Sequence, residues 1–157
     1  MNGPIENFDE VRIKGEEFYK TLEPVPCPYF KEKVYFNSQG LEHLKFKQRN
    51  GARNRQDQYM RFKMLRFVQE VLCLSHTVQG IFHTKHLERV RINSRTDTIL
   101  KEVSYYEFVA VIESFRVKII VKQVGTGQLL FWSVIPFWGI NKETKQRKLY
   151  VGDPEHD

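Results

Sequence analysis

The chain has 157 residues, of which 41% are hydrophobic and 13% aromatic, enough for one domain with a real core and too apolar for a largely disordered chain. No run approaches the ~18 consecutive apolar residues of a membrane span. The polar, acidic start from Met1 to Glu10 does not read as a signal peptide, so a cytoplasmic protein with no membrane association is expected.

The formal net charge is +6, and it is unevenly spread. Residues 1–30 hold three basic and six acidic side chains, whereas residues 31–66 hold ten basic and three acidic. So dense a basic block attracts phosphates and speeds encounter with polyanions, although an ordinary solvated helix surface has a similar composition. Cys27 and Cys73 have neither metal-ligand nor disulfide-framework spacing, which fits a reducing compartment; Cys73, ending an apolar helical run, is expected in the core.

In chain order, residues 1–8 read as disordered. Val11, Phe18, Tyr19 and Leu22 predict a helix over 9–22. Pro24, Pro26 and Pro28 predict an extended strap, since proline lacks a donor and resists the helix interior. Val34-Tyr35-Phe36 predicts a short strand, and Asn37 to Gly40 a turn or N-cap cluster. A helix over 41–48 should follow, broken at Asn50-Gly51. Met60, Met64, Phe67, Val68, Val71 and Leu72 recur at three- and four-residue spacing and predict a longer helix over 56–74.

After His76 the period changes to two. Strands are expected around Leu87–Ile92, over 105–113, over 116–124 and over 128–137, with a further short strand at 148–151. The connections at Ser114-Phe115 and Gly125–Gly127 are too short for crossover helices, so the last three long strands should form an antiparallel meander. The expected fold is α+β: N-terminal helices packed on a four- to five-stranded antiparallel sheet. Three stretches are distinguished: an acidic helix and Pro-rich strap over 1–30, one α+β domain over 31–140, and a polar tail over 141–157.

Among residues that carry chemistry, His83 and His86 lack the carboxylates that would complete a metal site. No phosphate-loop or dinucleotide motif is present. Neither metal nor cofactor is expected. On a helix, His43 and Lys47 would share one side. A histidine beside a lysine exchanges a proton while the lysine stabilises phosphate charge. Arg89 and Arg91 share one strand face, and Lys118, Ile120 and Lys122 another. Glu107 lies in a β-rich run, where a carboxylate either pairs with Arg89, Arg91 or Lys122 or acts as a base with a raised pKa. Trp132 and Trp138 read as core aromatics or as platforms for a stacked base.

Several stretches together resemble the barnase–EndoU–colicin–RelE class of metal-independent ribonucleases, especially its phage and toxin-associated members. They are Val34–Asn37, Gly40–Leu44 with His43, the basic helix Arg61–Arg66, His76–Gly80, the strand ending Val121-Lys122, and Phe131-Trp132-Ser133. The resemblance covers about residues 31–138 and rests on the order of elements and not on a contiguous motif. It implies RNA cleavage through 2′-hydroxyl attack by a toxin that an antitoxin or immunity protein neutralises. His43 would be the acid or base. Lys47 and Arg61 would bind phosphate, Lys122 and Ser133 would complete the pocket, and Lys45 and Trp132 would touch RNA. Arg89 and Arg91 are further RNA-binding candidates, and Glu107 a further catalytic one. The alternatives are a non-catalytic RNA- or DNA-binding module and a protein-interaction domain.

Overall fold

A computed structural model of the chain describes residues 7–48, 51–136 and 154–157. The expected strand at 148–151 and Trp138 lie outside these residues. The α+β class holds. Among the described residues four α-helices accompany a six-stranded mixed sheet and a separate two-stranded ribbon.

Helix α1 spans Phe8–Lys20. It begins inside the stretch expected to be disordered, because Phe8 is itself buried. The proline-rich strap becomes the edge strand β1, Val25–Cys27, antiparallel to β2, Glu32–Tyr35. An edge is where a strand tolerates Pro26, which has no N–H to donate. Asn37 caps α2, Ser38–Lys45, by accepting from the amides of Gln39 and Gly40.

Helix α2 ends earlier than periodicity suggests. Phe46–Gln48 is strand β3, which pairs with β4, Gly51–Ala52, to form the ribbon. Lys47 is therefore extended and does not share a helix face with His43. The long predicted helix is also divided. Helix α3, Arg55–Met64, passes through a 3-10 turn at Leu65–Phe67 into α4, Val68–Leu74. Cys73 lies on the exposed side of α4 and not in the core.

Strands β5, Gly80–Ile92, β6, Arg95–Ile112, β7, Phe115–Val124, and β8, Leu129–Pro136, form the expected antiparallel meander. Two of its turns, Asn93-Ser94 and Glu113-Ser114, have positive φ at both positions, as a two-residue hairpin connection requires. The sheet is larger than predicted and not purely antiparallel. Strand β2 adds to β8 in parallel, so the order is β1-β2-β8-β7-β6-β5. Sequence periodicity carries no signal for a pairing across so long a separation.

The main core lies between the helices and one sheet face. Leu44, Leu65, Val68 and Leu72 meet Phe108, Ile119, Val121 and Phe131 there. Gly40 permits the closest approach: a Cβ on it would lie 2.5 Å from the Phe131 carbonyl oxygen and 2.6 Å from the Tyr19 hydroxyl. Its bare backbone lets α2 seat on β8, one turn before His43.

Candidate active site

Three separate parts of the chain bring polar groups together beside the middle of β8. Helix α2 supplies His43. The stretch from Arg53 into α3 supplies Arg53, Asp57 and Arg61. Strands β7 and β8 supply Lys122, Trp132 and Ser133. His43, Arg53, Asp57, Arg61 and Ser133 are all buried.

Arg53, Asp57 and Arg61 stand four residues apart. Arg61 Nε donates to Asp57 Oδ1 at 2.6 Å, and Arg53 Nη1 lies 3.5 Å from Asp57 Oδ2. One carboxylate thus holds two guanidinium groups side by side. Such a pair is tolerable in the interior only because the carboxylate and further acceptors share its charge. Asn54 caps the helix by accepting from the Asp57 amide, which fixes where the ladder starts.

Arg53 reaches His43 twice, through Nε to its carbonyl oxygen at 2.9 Å and through Nη2 to its ring Nε2 at 3.0 Å. A guanidinium can only donate, so His43 Nε2 accepts and the imidazole is neutral. Burial, then the positive charges of Arg53, Arg61 and Lys122, lower the His43 pKa to about 2. The His43 ring stacks on Trp132 with centroids 4.1 Å apart and planes 20° apart. Lys122 Nζ lies 4.2 Å from the centre of a Trp132 ring, a cation–π contact.

The donors converge on residues 154–157 of the same chain. Arg61 Nη1 donates to Ser133 Oγ at 2.6 Å and also to the main-chain oxygen of Asp157. Ser133 Oγ donates to that oxygen at 2.8 Å, and Arg53 Nη2 reaches it at 3.2 Å. Arg53 Nη2 also donates to the His156 carbonyl at 2.9 Å, and Trp132 Nε1 to the Glu155 carbonyl at 3.0 Å. Arg61 Nη2 is buried and has no hydrogen-bond partner among the described residues.

Five residues singled out from sequence thus meet in one place: His43, Arg61, Lys122, Trp132 and Ser133. The others lie apart. Lys45 is half-buried and pairs with Glu16 at 3.2 Å and Glu42 at 3.4 Å. Lys47 is exposed on β3. Glu107 lies 2.6 Å from Lys118, which was not among its expected partners. It faces Ile120, which faces Ser133, so its backbone is two strands away, about 10 Å at the ~4.8 Å strand spacing. Arg89 and Arg91 are exposed, opposite Thr98 and Thr96 in the distal part of the β5–β6 hairpin.

Arg53 and Asp57 escaped the sequence reading. The signal was present in the alternating charge at 53, 57 and 61, which is the spacing of neighbours on a helix face. Among the described residues no group of three His, Cys, Asp or Glu side chains is placed to hold a metal ion, and no helix is long and apolar enough to cross a membrane. Comparison with protein-family models, with curated proteins and with solved structures returned no match.

Proposed function

We propose that this chain is a metal-independent endoribonuclease of toxin type, with the cleft of His43, Arg53, Arg61, Lys122, Trp132 and Ser133 as its phosphate-handling site. The observation that carries the reading is the convergence of Arg53, Arg61 and Ser133 donors on one buried oxygen. Two guanidinium groups and a hydroxyl around one oxygen suit the non-bridging oxygens of a phosphodiester. Ionised donor–acceptor pairs are about twice as strong as neutral ones.

RNA supplies its own nucleophile. The 2′-oxygen attacks phosphorus, and the bond from phosphorus to the 5′-oxygen breaks. The products are a 2′,3′-cyclic phosphate and a 5′-hydroxyl. The proton lost from the 2′-hydroxyl goes to a base, and the 5′-oxygen gains one from an acid. Arg53 and Arg61 stabilise the charge that builds on the phosphorane oxygens. His43, stacked on the Trp132 ring, and Lys122, whose Nζ lies over it, are the groups that move protons.

The second reading, an RNA-binding module without catalysis, is favoured by one observation: His43 Nε2 is engaged by Arg53 and its basicity is low. A phosphate in the cleft answers part of this, because its negative charge opposes the cationic field that lowers the His43 pKa. Incubating the protein with total RNA in excess chelator separates the two. Cleavage with 2′,3′-cyclic phosphate ends, lost in Arg61→Met, supports the ribonuclease. Salt-dependent binding with intact RNA supports the module.

A further inference from the structure

We infer that residues 154–157 are an internal competitor that fills the phosphate pocket, and that RNA must displace them to bind. The inference rests on the ribonuclease reading and adds a regulatory element to it.

With the segment in place the pocket is closed. Arg61 and Ser133 have no exposed surface, and Arg53 and His43 retain only 3% and 4% of theirs. A phosphodiester cannot reach donors so enclosed. What covers them is in part the segment itself, whose Asp157 is buried and bonded to Arg53, Arg61 and Ser133.

The way the segment is held makes it exchangeable. Its three carbonyls, at Glu155, His156 and Asp157, accept from Trp132, Arg53, Arg61 and Ser133 side chains. Among the described residues its main chain pairs with no strand of the sheet. Arg53 and Arg61 are the cationic donors among these, and Ser133 and Trp132 the neutral ones. A phosphate would offer the two guanidinium groups anionic oxygens in the same place. It would also give Arg61 Nη2, unpartnered and buried, an acceptor.

The segment imitates the chemistry of what it excludes. Asp157 and Glu155 bring negative charge to a cleft of three cations, and Glu155 Oε1 lies 2.6 Å from His86 Nε2 on β5. That contact anchors the segment to β5, away from the Arg53–Asp57–Arg61 ladder.

The test uses the full chain carrying Trp138→Phe, which leaves Trp132 as its one tryptophan. The probe is a short oligoribonucleotide whose 2′-hydroxyls are methylated so that it cannot be cleaved. Binding should change Trp132 fluorescence as the Glu155 carbonyl leaves Nε1, and should expose residues 154–157 to carboxypeptidase. Glu155→Ala should tighten probe binding several-fold without loss of thermal stability. Deletion of 154–157 should tighten it further, by about tenfold, the equivalent of one such contact network at ~1.4 kcal/mol. Probe binding that is unchanged in Glu155→Ala, or that protects residues 154–157 from digestion, overturns the inference and leaves the ribonuclease reading standing. Failure of the probe to bind wild type and both variants removes the phosphate pocket itself.

Discussion

Arg61 on α3 and Ser133 on β8, seventy-two positions apart in the chain, share a buried hydrogen bond of 2.6 Å. The bond ties the basic helix to the sheet at the point where the cleft forms. Arg61 is also held by Asp57, so its fork serves the helix, the strand and the pocket together. Arg61→Met keeps most of the volume and removes every one of these bonds. Loss of a donor aimed at developing charge costs about 10²–10³ in rate, and cleavage should fall by that much. Arg61→Lys should not restore it, because an ammonium cannot hold Asp57 and Ser133 in one plane. Initial cleavage rates of the three proteins, compared under conditions where thermal melts show each to be folded, check this.

His43 gives the fold a pH dependence with a definite sign. Its pKa is about 2 in the folded chain, held down by burial and by Arg53, Arg61 and Lys122. In the unfolded chain it returns to ~6.5. Below that value the unfolded state takes up a proton that the folded state refuses. Stability from this residue is therefore complete above about pH 6.5 and is lost as pH falls, at ~1.4 kcal/mol per unit. Between pH 6.5 and 4.5 the loss from His43 is about 2.3 kcal/mol. His43→Gln, whose amide can still accept from Arg53, should remove that slope. Urea denaturation of both proteins across this range measures the difference, and parallel curves would show that His43 is protonated in the fold.

The sequence carried the meander, the Asn37 cap and the order of helices before sheet, because each rests on local period or on a turn residue. It carried half of the cleft for a different reason. His43, Trp132 and Ser133 stand out as polar or aromatic residues in runs that otherwise read as core. Arg53 and Asp57 were hidden because charges at helical spacing normally mark a solvated face, and α3 instead buries both Asp57 and Arg61. That face is enclosed by groups distant in sequence, Ser133 on β8 and residues 156–157 among them. These are long-range contacts with no local signature. Lys47 misled for the converse reason: helical spacing continued past the residue where the chain turned into β3.

Glu107 separates a structural carboxylate from a catalytic one. It lies 2.6 Å from Lys118, whose side chain is 8% exposed. Removing one member of a buried ion pair costs about 3–5 kcal/mol, so Glu107→Ala should destabilise the fold by up to that much; 18% residual exposure of the Glu107 side chain puts it toward the low end. Glu107→Gln keeps an acceptor and should lose less. Neither should change the cleavage rate of the folded fraction by more than twofold if Glu107 has no part in proton transfer. A folded Glu107→Gln protein with its rate reduced by about a hundredfold would instead assign it as the base.

Beyond the Val103–Val124 pair the β5–β6 ladder continues with no third strand among the described residues, from Lys85 opposite Glu102 to Ile92 opposite Arg95. At ~3.3 Å per residue this two-stranded arm is about 26 Å long. One of its faces carries Lys85, Arg89 and Arg91 around the exposed pair Leu87 and Leu100. Their guanidinium groups are solvated and remote from the core, so the double variant Arg89→Ala/Arg91→Ala should melt with the wild type. If the arm grips the RNA strand that enters the cleft, each lost phosphate contact should reduce the slope of log affinity against log salt by about 0.7. The double variant should then show a slope shallower by about 1.4 with the same cleavage products. An unchanged slope would restrict RNA contact to the cleft. Weaker binding with an altered cut site would mean that the arm sets the register of the strand as well as its affinity.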